Sequence, residues 1–325
     1  MNINEAIVVT AKKQKECRLA FLKYLFLGIL FIIILPVGGG FAVGHLFENR
    51  LAPLFFIIIY IPFFLAALMA NASRVTSELG DYKAFYKDVF VRAAIRGTDP
   101  NFNYDPNAGI SRKEFRKIGI YSPDEFRAED QISGIYKGVK FSLSEAIDIP
   151  NGATLELSDS AALNLLSAII FAWEAMKDMQ AFSGSVLVCE FYKKFSGQTI
   201  VASRTLNTRF LGEKEQMDDM FFSKEFRVFA DDKIEARYLL TPAFMQRLRE
   251  LKEKFAGKMG LSAAFMDDKL YLFLNGAKNR FETTLFSPPP SLEDAAEIKN
   301  EILELLSIID ELNLNPYLSG AVIFG

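Results

Sequence analysis

One histidine and two cysteines in 325 residues leave little from which to build the commoner catalytic and metal centres. His45 falls inside an apolar stretch, and Cys17 and Cys189 lie far apart in the chain. A Cys/His zinc cluster, a Ser-His-Asp or Cys-His arrangement and a disulfide framework therefore lack their materials. Neither a G-x-x-x-x-G-K-[ST] loop nor a G-x-G-x-x-G fingerprint occurs, so nucleotide binding by those routes has no support. The net charge of −3 gives no electrostatic case for nucleic acid. No cofactor and no metal is expected on these grounds.

Charge itself is missing over two long stretches. Residues 24–47 and 51–73 contain no Asp, Glu, Lys or Arg, and only Glu48, Asn49 and Arg50 separate them. Each exceeds the roughly 20 apolar residues that span a bilayer, and so short a connection predicts an antiparallel transmembrane hairpin with both ends on one side. A cleaved leader would have a shorter apolar run, and here a second run follows at once. Pro36, Gly38, Gly39 and Gly40 loosen the first span, and Pro53 and Pro62 fall in the second. In a membrane such breaks are tolerated where neighbours re-satisfy the backbone. Lys12, Lys13, Lys15, Arg18 and Lys23 precede the first span and Arg74, Lys83 and Lys87 follow the second, against Arg50 in the loop. That bias predicts a multi-pass protein of the cell (inner) membrane with both termini cytoplasmic. The basic arm is also suited to lie on anionic lipid.

The remainder reads as an α+β cytoplasmic domain with a mostly antiparallel sheet and flanking helices. The expected divisions are a basic arm (1–23), the membrane hairpin (24–73), a juxtamembrane helix and loop (74–110), the α+β domain (111–290) and a C-terminal helix and tail (291–325). Asp99 to Asn107 places oxygen side chains alternately, as a calcium loop does. Tyr104 stands where that loop needs Gly, however, and Ile110 where it needs a bidentate Glu, so a turn-rich loop is the better reading. Ser111 with Glu114 has capping-box spacing for a short helix through Lys117, and Ser122-Pro123-Asp124-Glu125 reads as another helix start. Hairpins are expected at 132–136 and 139–146 around Lys137-Gly138, at 185–191 and 198–203 around Ser196-Gly197, and at 261–266 and 269–274 around Asp267-Asp268.

The best-formed stretch is 226–255. Phe226 and Val228 alternate with polar positions, Asp231-Asp232 reads as a turn, and Ile234, Ala236 and Tyr238 alternate with Glu235 and Arg237, so a hairpin is expected. Thr241 and Pro242 then open a helix carrying Phe244, Leu248, Leu251 and Phe255, with Gly257 as its stop. The run 161–173 is apolar all round and too short to span, which suits a core or partner-facing helix. After Pro288, Pro289 and Pro290, the residues Ala295, Ile298, Ile302, Leu305, Ile309 and Leu312 repeat at coiled-coil spacing. Packing onto its own domain is the simpler use of that helix, and self-association is the other.

The segment F-R-V-F-A-D-D-K-I-E-A-R-Y-L-L-T-P from Phe226, with paired strands ending in Phe281-Glu282 and Leu285-Phe286, resembles a bacterial membrane family known as domain of unknown function 3137. Earlier pieces agree: Tyr104-Asp105-Pro106, Glu129-Asp130 leading to Gly134, Ser144-Glu145, and F-S-G-S-V-L-V-C-E-F-Y-K-K-F-S-G-Q-T from Phe182. The resemblance implies a two-span membrane protein with a cytoplasmic domain, and brings no catalytic residues with it. The apolar segment 161–179 departs from the family pattern.

The residues left for chemistry are Asp231, Asp232, Glu235 and Arg237, with Glu145 and Glu190 on other strands. Carboxylates near an arginine can form an acid/base pair, a magnesium site or an anion clamp, but charge pairs on half-exposed hairpins are common. Cys189 reads as a buried, inert thiol. The leading reading is a membrane-anchored, non-enzymatic module binding a protein or lipid partner at the cell envelope. The alternative is a carboxylate-dependent membrane-bound hydrolase of a phosphorylated or lipid-linked substrate, using Asp232, Glu235 and Arg237.

Overall fold

The structure is a computed structural model that describes residues 1–29, 73–121, 125–149, 182–191, 194–206, 208, 211, 214–215, 217–256, 260–276 and 281–313. Apart from residues 24–29 and 73, the two uncharged stretches, with His45 and Glu48-Asn49-Arg50, lie outside these residues, as does the apolar segment 161–179. Among the described residues no helix is long and apolar enough to cross a membrane.

The chain divides into two compact units. Of the described residues, the first takes in those up to Phe90 together with Glu282–Leu292. It opens with α1 (Ile3–Ile29), a continuous helix, so the basic arm and the start of the first uncharged stretch are one element. The helix begins with reciprocal capping: the Glu5 amide donates to Asn2 Oδ1 at 2.9 Å, and the Asn2 amide to Glu5 Oε2 at 3.3 Å. Its buried face carries Ala6, Thr10, Gln14 and Cys17, one turn apart. Helix α2 (73–86) ends in a π-helical turn, Lys87–Val91.

Between these helices runs a strap, residues 282–290, without regular structure beyond a turn. Leu285 packs with Cys17 and Tyr82, flanked by Phe21 and Leu79. Polar side chains grip its backbone. Gln14 Nε2 donates to the Ser287 carbonyl at 2.9 Å, and Arg18 Nε and Nη2 donate to the Leu285 carbonyl at 2.9 and 2.7 Å. Glu282, at the start of the strap, pairs with Lys83 at 2.7 Å and with the buried Lys87 at 2.9 Å.

The second unit is the α+β domain. Its elements are α3 (Arg92–Thr98), β1 (Asn103–Asp105), α4 (Arg112–Lys117), β2 (Glu125–Tyr136), β3 (Val139–Ile149), β4 (Ser183–Glu190), β5 (Thr199–Ser203), β6 (Lys214–Glu215), α5 (Met220–Glu225), β7 (Phe226–Ala230), α6 (Lys233–Leu239), α7 (Pro242–Leu251), β8 (Leu261–Met266), β9 (Lys269–Asn275), α8 (Leu292–Leu306) and α9 (Ile308–Asn313). Among the described residues the strands form one nine-stranded sheet in the order β1-β2-β3-β4-β9-β8-β5-β7-β6. Every pairing is antiparallel.

Local signals placed several elements correctly. Lys137 and Gly138, with φ of 48° and 86°, make the β2–β3 turn, the left-handed pair that a two-residue hairpin requires. Asp267-Asp268 joins β8 to β9, with Asp267 at φ 57°. Ser111 caps α4 by accepting from the Glu114 amide, and Thr241 caps α7 with Pro242 at its first turn.

Three expectations fail. The segment after Asp232 is not a strand but α6, so β7 has no hairpin partner there and pairs instead with β5 and β6. The strands at 185–191 and 198–203 do not pair: β4 lies between β3 and β9, and β5 between β8 and β7. Glu125 begins β2 instead of continuing a helix from Ser122.

One face of the sheet is filled by aromatic rings from α4, from β9 and from the segments flanking β2 and β4. Phe115 and Phe273 meet edge to face at 5.5 Å, Tyr121 lies 5.0 Å from Phe182, and Phe182 lies 5.8 Å from Phe273. Against Phe265 of β8 rests Phe244 of α7, at 5.5 Å. Close packing also explains Gly134, where a Cβ would come within 2.7 Å of the Phe102 ring. At the C-terminus, Ala295, Ile298, Ile302, Leu305, Ile309 and Leu312 are all buried by the chain itself, and the helix breaks at Ser307.

Candidate functional site

Asp231, Asp232, Glu235 and Arg237 are brought close by α6, each with a local use. Asp232 is the N-cap of α6: its Oδ1 accepts from the amides of Ile234 and Glu235 at 2.9 and 3.0 Å. Asp231 Oδ2 accepts from the Gln198 amide at 2.8 Å, while its own amide donates to the Gln198 carbonyl at 3.0 Å. Glu235 is buried, and its Oε2 accepts from the Ser196 amide at 2.8 Å. Together these carboxylates lace the 196–198 loop to the start of α6. They also explain Gly197, where a Cβ would approach that of Asp231 to 2.7 Å.

Arg237 points elsewhere. It is largely exposed and reaches Glu215 of β6 at 3.3 Å, with Lys233 on the other oxygen at 3.4 Å. Glu235 and Arg237 were expected on one strand face; on a helix, residues two apart point in different directions.

Glu145 and Glu190 sit on β3 and β4, separated across the sheet from β5 by β9 and β8. Glu190 belongs to an exposed charge cluster with Lys140 at 3.9 Å and Lys269 at 3.7 Å. Lys269 also donates to Glu114 Oε1 at 2.9 Å, as does Tyr271 at 3.0 Å. Burial, and then the charge of Glu114, push the Tyr271 phenol well above its ordinary range.

A second polar centre lies at β1–β3, of which the sequence offered only Glu145 as a candidate for chemistry, Tyr104 and Asp130 standing there as pieces of the family resemblance. Asp130 is fully buried at a β-bulge with φ 57°, and Tyr104 donates its phenolic proton to Asp130 Oδ1. The Tyr104 carbonyl accepts from Arg92 at 2.6 Å, and the same guanidinium stands 5.6 Å from the Tyr104 ring. Buried Glu145 faces Glu129 across β2–β3. Burial, the bond to Asp130 and the nearby acids raise the Tyr104 phenol far above its ordinary value, against the lowering effect of Arg92. At neutral pH this phenol is a hydrogen-bond donor and not a base or nucleophile. The available signal was an Asp within a strand-forming run, since left-handed backbone at a bulge suits Asp among non-glycine residues.

The two thiols are equally unsuited to chemistry. Both are buried, and burial is the main cause that raises each pKa.

Residues 180–314 match the family described as Protein of unknown function (DUF3137). That range contains Glu190, the α6 carboxylates, the strap and α8, and excludes Tyr104, Asp130 and Glu145. No curated protein and no solved structure matches the chain. Over residues 180–314, then, the chain is similar to the DUF3137 family of proteins of unknown function.

Proposed function

We propose that this chain is a membrane-anchored interaction module, with its α+β domain in the cytoplasm and a protein or lipid partner at the cell envelope. The observation that carries the anchoring is a contact in the first unit: the Arg74 guanidinium stands 5.7 Å from the ring of Tyr24. Tyr24 opens the first uncharged stretch and Arg74 is the first charge after the second, so the boundaries of the two stretches are side by side. A two-helix hairpin entering and leaving one membrane face has that arrangement, and Tyr and Arg are suited to the membrane–water boundary. The basic residues around these boundaries favour the cytoplasmic face.

Binding is favoured over catalysis by the way the candidate carboxylates are used. Asp232 caps a helix and Glu235 holds a loop, roles that tie an oxygen of each carboxylate into the fold. The apolar positions that α6 leaves outside, Ile234 and Tyr238, share one exposed face of the helix. Reporter fusions after Gly97, after Met179 and at Gly325 test the topology: all should be active in the cytoplasmic assay and silent in the exported one. Crosslinking and co-purification from native membranes test the interaction, and Ile234→Glu with Tyr238→Ser should reduce capture of a protein partner. Hydrolysis of a phosphorylated or lipid-linked substrate by the purified chain, lost in Glu235→Gln, would replace this reading by the hydrolase.

A further inference from the structure

We propose that the outer face of α1 is a docking surface for anionic phospholipid headgroups, which extends the membrane contact below the hairpin; the inference rests on the membrane-anchored reading above. While the inner face of α1 holds the strap, the outer face is formed by Val8, Lys12, Lys15, Leu19, Leu22 and Phe26, each three or four residues from the last. All six are exposed, and the apolar ones strongly so: Leu19 is 60% exposed, Leu22 45% and Phe26 62%. Large side chains repeated along one face of a helix mark a contact surface.

Position along the helix identifies the occupant. At about 1.5 Å per residue, Leu22 lies about 3 Å and Leu19 about 7.5 Å before Tyr24, where the uncharged stretch begins. The polar layer on each side of the hydrocarbon core is about 5–7.5 Å thick, which places Leu22 within it and Leu19 at its outer edge. Lys23 is at its inner edge, where a lysine extends its charged end toward the headgroups. Lys15, about 13 Å before Tyr24, falls within a Debye length of about 8 Å from the headgroup surface, and Lys12 lies one turn beyond. Apolar residues at the depth of the headgroups, followed by lysines just outside, match an anionic bilayer surface. A second copy of α1 suits this face poorly, since parallel pairing along it would set Lys12 and Lys15 against their own copies. Of the acidic side chains of α1, Glu5 continues the stripe three residues before Val8, at the end away from Tyr24, and Glu16 is exposed at its flank.

The test uses the full chain in nanodiscs of equimolar phosphatidylcholine and phosphatidylglycerol, with retained lipid counted by native mass spectrometry. The wild type should enrich phosphatidylglycerol by roughly five-fold for each engaged lysine. Lys12→Gln with Lys15→Gln and Lys23→Gln, all at exposed positions, should bring the ratio close to unity. Equal enrichment in both proteins would overturn the proposal. A nitroxide on Leu19→Cys gives an independent reading, because Cys17 and Cys189 are buried and escape the label under native conditions. Oxygen accessibility above that of a water-soluble nickel reagent is expected. Aqueous accessibility, or spin–spin broadening between copies, would refute the lipid assignment. Loss of the chain from membranes in alkaline carbonate would instead break the anchoring itself, so the two failures are distinguishable.

Discussion

The two units are held by different means. The α+β unit buries rings and aliphatic side chains, Phe115, Tyr121, Phe182 and Phe273 among them, over a sheet whose backbone groups satisfy one another. In the first unit the strap forms no ladder, so its carbonyls are met by side chains: Gln14 and Arg18 from α1 do what a neighbouring strand does elsewhere. Area buried spreads stability over many residues, whereas side-chain donors concentrate it in two. Each unit also holds one buried thiol, Cys17 in the first and Cys189 in the second, so alkylation followed by mass spectrometry reads the two separately.

The largest effect should come from the ring cluster. Phe273→Ala is expected to cost about 3–5 kcal/mol and to expose Cys189 to N-ethylmaleimide at lower urea, with the Cys17 profile little changed. Simultaneous exposure of both thiols would mean that the units unfold together. Arg18→Ala should act the other way. Losing a guanidinium that bonds two strap carbonyls is expected to cost about 1.5–3 kcal/mol locally, raising amide exchange in 284–287 and exposing Cys17 first. If exchange in the strap is unaffected, the clamp contributes nothing. Asp232→Ala should cost about 1 kcal/mol as a lost N-cap, seen as a lower urea midpoint for the Cys189 signal, and Asp232→Ser should restore most of it.

The smallest effect concerns pH. Burial raises the Glu282 pKa, but the ammonium groups of Lys83 and Lys87 outweigh it, and the folded value lies below the ordinary 4.5. A depressed carboxylate pKa adds stability that is complete above the unfolded value and is lost as pH falls through the folded one. Strap exchange should therefore be flat from pH 7 to about 5 and rise below about 4.5, by an amount worth about 1 kcal/mol or less. Glu282→Gln should flatten that rise.

Turn and cap chemistry was legible wherever the signal was confined to a few residues, as at Lys137-Gly138, Asp267-Asp268, Ser111 and Thr241-Pro242. Helix α6 shows how a period misleads over a short span. Ile234, Ala236 and Tyr238 alternate in type, yet the structure buries Glu235, Ala236 and Leu239, a helical face. The correct signal was present in the spacing Asp232-x-x-Glu235, an N-cap and N3 pair. Strand partners were not legible in the same way, because β4 pairs with β3 and β9 through contacts distant in sequence that no turn residue encodes. The Tyr104–Asp130 pair was hidden for a related reason: a buried carboxylate depends on a neighbour 26 residues away.

The grip of α1 on the strap also sets an order of events during synthesis. Arg18 and the Leu285 carbonyl that it holds are 267 residues apart, so at 5–20 residues per second α1 leaves the ribosome roughly 13–53 s before its partner exists. Until then Gln14 and Arg18 have no strap carbonyl to hold, while Cys17 can already meet Tyr82 of α2 once that helix is made. A chain stopped short of Glu282 would carry an intact α1 able to meet α2 but with no strap for Gln14 and Arg18 to grip.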